Sequence, residues 1–392
     1  MRLAAINTTA SPFHAPASLM LDVARGFVAA SADNKALVLY GRGGHELIPG
    51  ISFKRVGNDA SVINHYLWSR ILDQEGLMSR RATAQIVESL KIFQPDIIHL
   101  HNLHGHYLHY PSLFNYLAKL DISVVITLHD LWSMTGRCCF PEDCDKWMND
   151  CRYCPNRRLY PATMLSNSRI NRLLKADCIN QLPNVTLVAP SQWAARHVSR
   201  SSLRLCPSIV IPNGVSDDVF VRLEPNNHKS KGMTTILAVA NKWEARKRPE
   251  IIYGIAKLLN DNERLIVVGD VGKRHTNLPN TTFIPQITDF ATLVKTYNSA
   301  DYTISASSNE TYGMTVAESM SCGTPVIVPA DSAMAEYVTT DDGIIVPSVT
   351  PEEYINAIRN NRSCFNPKAP SSRKDAMQRY IDLFSSLINE ID

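Results

Sequence analysis

Short apolar runs alternate along the chain with longer stretches whose apolar positions recur at three- and four-residue spacing. Arg2–Ile6, Ala36–Tyr40, Asp96–His101, Val124–Leu128, Val185–Ala189 and Ile209–Ile211 read as strands. Their continuous apolar character is that of strands buried on both faces. Ser18–Ala30 and Thr83–Phe93 read as helices, the second stopped by Gln94-Pro95. A second series follows a polar stretch within Val219–Met233, whose run Glu224-Pro225-Asn226-Asn227-His228-Lys229-Ser230-Lys231-Gly232 has the composition of a linker. In that series Thr235–Ala240, Leu265–Val268, Thr282–Ile284, Tyr302–Ser305 and Pro325–Val328 are predicted strands. Pro249–Leu259, Phe290–Tyr297 and Val316–Met320 are predicted helices, and the tail Ser372–Ile391 is a predicted amphipathic helix.

Strand–helix alternation of this kind builds parallel sheets with helices on both faces. The predicted fold class is therefore α/β, with two doubly wound, Rossmann-like domains expected to face each other across a deep cleft. The expected boundaries are 1–218 for the first domain, 219–371 for the second and 372–392 for the C-terminal helix. Open parallel sheets bind ligands at the carboxyl ends of their strands, so polar residues at those ends carry the candidate chemistry.

Composition narrows the class. The 392 residues carry 40 Lys+Arg against 37 Asp+Glu, a net charge of +3, which argues against a nucleic-acid partner. The charge is uneven. Residues 1–225 hold 23 basic and 18 acidic side chains and ten of the 12 histidines, and the remainder holds 17 and 19. A mildly basic first half suits anionic lipid or a phosphorylated substrate, or is ordinary surface variation. No apolar run approaches the roughly 20 residues of a membrane-spanning helix. The N-terminus turns polar too soon for a signal peptide. A cytoplasmic location is expected, where nine cysteines are thiols or metal ligands rather than disulfides.

The most informative segment is Ser305-Ala306-Ser307-Ser308-Asn309-Glu310-Thr311-Tyr312-Gly313-Met314-Thr315-Val316-Ala317-Glu318. A strand ends in small polar residues, and a glycine-containing loop opens a helix. The amides of Gly313, Met314 and Thr315 at that helix start form a ready anion site. Glu310 and Glu318 beside it suit hydroxyl groups, as on a ribose or sugar. Capping for Glu310 and a surface charge for Glu318 are the plainer alternatives.

This segment resembles the E-x7-E signature of retaining glycosyltransferases of the GT-B fold, family 4 type, and the resemblance runs through most of the chain. Asn241-Lys242-Trp243-Glu244-Ala245-Arg246-Lys247 is similar to that family's basic pair after the first strand of the second domain. The resemblance implies that Lys242 and Lys247 bind the donor diphosphate, whose charge grows as the sugar departs. Val267-Val268-Gly269-Asp270 resembles the strand–glycine turn lining the nucleotide site, which implies a donor-side place for Gly269. Glu310 is implied at the donor sugar and Glu318 at the ribose. In such proteins the C-terminal helix crosses back to the first domain.

In the first half, Ile126-Thr127-Leu128-His129-Asp130 ends a strand in a polar pair. The resemblance implies that His129 organises the reacting centre and that Asp130 orients it or contacts the acceptor. Asp96-Ile97-Ile98-His99-Leu100-His101-Asn102-Leu103-His104-Gly105 makes His101, Asn102 and His104 acceptor-side candidates, with a metal site among the five histidines of 99–109 as the alternative. The stretch Asn7–Ala17 departs from the family pattern, because it lacks the usual paired glycines.

The run from Thr135 to Pro155, with Tyr160-Pro161, resembles a narrower group of bacterial polysaccharide glycosyltransferases that includes the colanic-acid type. Its matching cysteines are Cys138, Cys144, Cys151 and Cys154, with Cys139 an extra. Four such thiols can close a tetrahedral structural zinc site; free thiols and disulfides are the alternatives. Cys178, Cys206, Cys322 and Cys364 are isolated and read as buried, apolar-like residues.

The expected activity is transfer of a sugar, with retention, from a UDP- or GDP-sugar to a growing surface glycan. The resemblance implies an acceptor on a lipid carrier, peripheral contact with the inner membrane and no metal or other cofactor for the chemistry. Another GT-B-like enzyme, such as a nucleotide-sugar epimerase or a phosphorylase, and a non-enzymatic zinc-binding protein are the competing readings.

Overall fold

A computed structural model describes residues 1–223, 232–272, 277–307, 309–361 and 364–390. The chain divides into two units. One is Met1–Pro212 with Met377–Asp392, and the other is Asn213–Ala376. The compositional boundary at 218/219 lies six residues beyond this division, and the linker run 224–231 falls outside the described residues.

In the first unit, β1 (Arg2–Ala10), β2 (Lys35–His45), β3 (Ile51–Arg55), β4 (Ile97–Leu100), β5 (Ser123–Thr127), β6 (Val185–Ala189) and β7 (Ser208–Val210) form a parallel sheet. Its order is β3-β2-β1-β4-β5-β6-β7. Helix Ala15–Ala29 lays Leu19, Met20, Val23 and Phe27 on this sheet. Tyr380 and Phe384, from helix Arg373–Asn389, are fully buried in the same core. The Tyr380 hydroxyl lies 2.9 Å from Thr127 Oγ1.

The second unit holds β8 (Thr234–Lys242), β9 (Glu263–Asp270), β10 (Thr281–Ile284), β11 (Tyr302–Ile304), β12 (Val326–Pro329) and β13 (Gly343–Val346). They are parallel, in the order β10-β9-β8-β11-β12-β13. One core packs Ile252 and Ile255 against Ile236, Leu265 and Ile327. A second surrounds Tyr297, Leu237 and Ala317.

Each sheet reverses its winding once, between β1 and β4 and between β8 and β11. At such a point the loops leaving two neighbouring strands diverge, which opens a crevice at their carboxyl ends. Lys242 ends β8 and Lys247 follows it, Glu310 and Gly313 follow β11, and His101, Asn102 and His104 follow β4; His129 and Asp130 lie one strand further out, after β5, and Gly269 lies at the end of β9.

Several elements escaped the periodicity. β3 alternates buried Ile51 with exposed Ser52 and Lys54, so it offers no continuous apolar run. Helix Asp59–Leu72 begins with a reciprocal cap, in which Asn58 Oδ1 accepts from Ser61 N at 2.8 Å and Ser61 Oγ from Asn58 N at 3.1 Å. It buries only His65 and Ser69, so no core-facing apolar stripe marks it. Helices Tyr110–Leu117, Ser168–Asn180, Gln192–Ser199 and Pro351–Asn360, and strand β13, were also not anticipated. Cys178, Cys206 and Cys322 are buried as expected. Cys364 is exposed, which corrects that reading.

Candidate active site

In the second unit, the turn after β8 and the loop after β11 meet. Lys247 Nζ donates to Glu310 Oε1 at 2.5 Å, and Arg246 Nη1 donates to the same oxygen at 2.9 Å. Ser307 Oγ donates to the Arg246 carbonyl at 2.9 Å and ties the two loops. Burial opposes the Glu310 charge, but Lys247 and Arg246 outweigh it and hold this carboxyl below the usual range. Burial also lowers the Lys247 pKa, with Glu310 pulling the other way. Lys242, the other half of the expected basic pair, is exposed at the end of β8. Arg246, to which the sequence reading gave no role, is the second cation on Glu310. Its adjacency to Lys247 in the three-residue helical turn Ala245–Lys247 was the available signal.

Helix Met314–Ser321 starts where expected. Gly313 is its N-cap, with φ 90°. A Cβ there would come within 2.4 Å of Met334 Cγ, so both the backbone angle and the space require glycine. Tyr337 Oη donates to the Tyr312 and Gly313 carbonyls at 3.0 and 3.1 Å and fixes the turn. The amides of Met314 and Thr315 stand in the first turn, where a helix supplies no carbonyl partner. One turn further on, Glu318 Oε2 accepts from Tyr297 Oη at 2.9 Å. Burial raises the Glu318 pKa to about 7, the tyrosine bond opposing it. The plain surface charge weighed for Glu318 is therefore set aside. Gly269, at the end of β9, has φ 123°, and a Cβ there would lie 1.8 Å from the Ala240 carbonyl oxygen.

In the first unit, His101 and Asn102 follow β4, and His129 and Asp130 follow β5. His101 Nδ1 lies 2.8 Å from His129 Nε2. Burial, reinforced by His99 and His129, holds His101 well below its ordinary pKa, so its ring is neutral. His104 Nε2 lies 2.7 Å from Asp130 Oδ2. Burial alone would discharge His104, but Asp130 outweighs it and raises its pKa. The Asp130 carboxyl is lowered in turn, its burial overcome by His104. Asp130 was expected to orient His129 or to contact the acceptor, and it is hydrogen-bonded to His104. Cys139, read as an extra, places Sγ 3.7 Å from His104 Nε2, and Tyr160 Oη lies 3.5 Å from His104 Nδ1.

The glycine-free stretch Asn7–Ala17, whose first residues belong to β1, has a structural part in this site. Asn7 Oδ1 accepts from Asn102 N at 3.2 Å, and Thr8 Oγ1 donates to the His104 carbonyl at 2.5 Å. The close approach falls instead at Gly105, with φ 107°, where a Cβ would lie 2.4 Å from Thr8 Cγ2. Glu75 braces the same loop from below. Its Oε1 accepts from the amides of Gly105 and His106 at 2.7 and 2.9 Å, and its carboxyl pairs with the His106 ring.

Among the described residues, two groups of the first unit have ligand-type atoms within 4.8 Å of one another: His65, Glu75 and His106, and His104, Asp130 and Cys139. Apart from both, Cys138, Cys144, Cys151 and Cys154 line one small cavity together with Trp147 and Arg137. Their thiols are free. Burial, helped by Cys154 and Cys151, pushes the Cys138 thiol up to about 12.

Two parallel, doubly wound units, each with polar side chains gathered at its winding reversal, define the GT-B class of fold. The chain belongs to Glycosyltransferase Family 4. That family matches residues 20–219, and the family described as Glycosyl transferases group 1 matches residues 221–363. A similar protein is the putative colanic acid biosynthesis glycosyl transferase WcaC of Escherichia coli strain K12. It is 24% identical over 286 residues, which cover 68% of this chain and 66%, just under two thirds, of WcaC. The solved structure of HepE from Anabaena in complex with UDP-glucose matches with a TM-score of 0.62 at 15% identity, over 100% of this chain and 98% of that one. That of WaaG, a glycosyltransferase involved in lipopolysaccharide biosynthesis, matches with a TM-score of 0.64 at 15% identity, over 99% and 98%. Among the described residues, no helix is long and apolar enough to cross a membrane.

Proposed function

We propose that this protein is a retaining glycosyltransferase that moves a hexosyl group from a UDP- or GDP-sugar to a growing bacterial surface glycan carried on lipid. The observation that carries the proposal is the grouping of Arg246 and Lys247 on Glu310, in the same unit as the helix start at Gly313. In this reading the second unit takes the donor. Lys242 and Lys247, with the amides of Gly313, Met314 and Thr315, stabilise the diphosphate as it gains charge on departure. Glu310 positions Lys247 and takes hydroxyls of the donor sugar. Glu318, held by Tyr297, takes the ribose hydroxyls, and Gly269 lets the β9 turn approach the nucleotide. The UDP-glucose held by HepE supports a nucleotide sugar as donor.

The first unit takes the acceptor. His129, bonded to the neutral His101, organises the reacting centre, and Asn102, His104 and Asp130 receive the acceptor. The departing phosphate and the incoming hydroxyl react on one face of the sugar. The phosphate oxygen accepts the acceptor proton, so no enzyme nucleophile is required. The likeness to WcaC supports a polysaccharide product. A lipid-borne acceptor brings the protein to the inner face of the cytoplasmic membrane as a peripheral partner.

Cys138, Cys144, Cys151 and Cys154 supply the ligand types of a structural zinc, and they line one cavity, although no three of their sulfurs lie within 4.8 Å of one another, so an ion there would have to draw them together. A closed four-thiolate site would leave no open position for chemistry. The ion would stabilise the segment 138–155 and take no part in transfer.

The deciding experiment is a thermal-shift screen of the purified chain with UDP, GDP, ADP, TDP and their sugars, repeated for Glu318→Ala. One nucleotide is expected to raise the melting temperature of the wild type and not of the variant. No stabilisation by any of them overturns the donor site. Release of free nucleoside diphosphate only when an acceptor glycan is added separates transfer from epimerisation.

A further inference from the structure

Helix Asp59–Leu72 presents an inverted pattern. Its only buried residues are the polar His65 and Ser69. Ile63, Tyr66, Leu67 and Ile71 fall at positions i, i+3, i+4 and i+8, the spacing of a single helix face. That face is exposed, with Ile63 at 59%, Leu67 at 52%, Tyr66 at 47% and Ile71 at 42%. Trp68 flanks it at 43% exposure. Arg70 occupies the remaining i+7 position of the stripe and is exposed. A second apolar strip lies alongside. The Met164 amide donates to the Arg70 carbonyl at 2.8 Å and the Leu165 amide to the Ile71 carbonyl at 3.1 Å. Met164 and Leu165 are themselves 66% and 54% exposed. Scattered exposed apolar residues are ordinary, but a contiguous face of this kind marks an interaction surface.

The charge beside this face is mainly basic. From Cys151 to Ala176 the chain carries five arginines and one lysine and no Asp or Glu. Arg152 and Arg169 pair with Asp150, and Lys175 is buried; Arg157 and Arg158, with Arg70 on the helix, form the basic border. Arg157 and Arg158 are exposed on the strip beside the helix, and Arg157 Nη1 donates to the Met164 carbonyl at 2.9 Å. An apolar helical face with Trp and Tyr, bordered by arginines, matches the boundary of an anionic bilayer. Aromatic rings settle at the headgroup level, and guanidinium groups meet phosphates. A second copy of the chain fits less well, because a two-fold contact would set this basic border against itself.

We propose that the outward face of helix Asp59–Leu72, with the strip at 157–165, is a docking surface for an anionic lipid bilayer. The assignment rests on the reading of an acceptor carried on lipid, and it names the part of the first unit that would meet the membrane.

The test is co-sedimentation of the full chain with vesicles of phosphatidylethanolamine and phosphatidylglycerol, against vesicles of phosphatidylcholine alone. The wild type is expected to partition onto the phosphatidylglycerol vesicles in a salt-sensitive way and to remain in the supernatant with phosphatidylcholine. Leu67→Glu with Ile71→Glu, and separately Arg157→Glu with Arg158→Glu, should each weaken partition at least about tenfold. The substituted residues are exposed, so the melting temperature and its shift with UDP or GDP should stay unchanged. In the wild type, brominated phosphatidylglycerol should quench tryptophan emission, and Trp68→Phe should abolish that quenching, which keeps the proposal testable if a double variant fails to fold. It is overturned if the wild type does not bind the anionic vesicles, or if it binds phosphatidylcholine equally. Undiminished binding by both double variants overturns it too, as does a dimer dissolved by the same substitutions without any vesicle binding. Nucleotide stabilisation without vesicle binding removes this surface and leaves the donor site standing; the reverse removes the donor site alone.

Discussion

Lys247 Nζ lies 2.5 Å from Glu310 Oε1, and the two residues belong to the loops that leave the neighbouring strands β8 and β11. Neither charge is well solvated, and Arg246 makes the group a triad with two cations on one oxygen. Such a triad holds a lysine at a fixed point without fully neutralising the site. That is the condition for receiving an anionic leaving group without reorganisation at the moment of reaction.

Lys247→Ala should therefore lower kcat/KM for sugar transfer by about 100-fold or more, the effect of removing one preorganised donor from a developing charge. It should also lower stability by roughly 1–3 kcal/mol, because Glu310 keeps only Arg246 in a buried setting. Steady-state kinetics and a urea titration read the two effects separately. Arg246→Ala alone should show the stability loss with a smaller kinetic one.

Glu318 gives the protein a pH signature. Burial raises its pKa from 4.5 to about 7. The folded state therefore holds a proton that the unfolded chain has released between these values. Stability on this account is fully present below about pH 4.5 and is lost as pH rises through about 7. Glu318→Gln should flatten this slope. Thermal midpoints of both proteins between pH 4 and 8 check it (range about that of the shift), and parallel curves would refute it.

Asp130→Asn tests the pairing with His104. With the carboxylate gone, burial is left unopposed, and the imidazole pKa should fall below 6.5 from its raised value. In the wild type the contribution of the raised His104 is present below pH 6.5 and is lost as pH rises through its raised value, whereas that of the lowered Asp130 is lost as pH falls through its folded value. An NMR titration of the His104 ring in both proteins measures the shift. Transfer to acceptor should fall while nucleotide binding stays, because the pair belongs to the unit without the helix start at Gly313.

The four-cysteine cavity makes a prediction about composition. The protein purified without chelator should contain close to one equivalent of zinc by elemental analysis. Its removal, or Cys151→Ser, should lower the melting temperature. Nucleotide-induced stabilisation should survive, since the ion would act on the segment 138–155 alone. Metal-free protein with an unchanged melting temperature would leave these thiols without a ligand role.

By itself the sequence determined the alternation of buried strands and helices, and with it two parallel sheets. It also determined the helix start at Gly313 and the seven-residue interval between Glu310 and Glu318. These are local properties: a continuous apolar run, a glycine able to adopt positive φ, and a short interval that spans one loop and the first turn of one helix. It could not show which side chain meets which. Arg246 reaches Glu310 across 64 residues, His104 reaches Asp130 across 26, and Thr127 reaches Tyr380 across 253. Only the order of strands in the sheets brings those loops together. The same limit explains β3 and helix Asp59–Leu72. An edge strand with exposed Lys54, and a helix that turns its apolar side outward, carry no core-facing periodicity. Tertiary structure decided these features, because a hydrogen bond or an exposed face depends on which surfaces the fold makes neighbours, and spacing along the chain encodes that only within a single element.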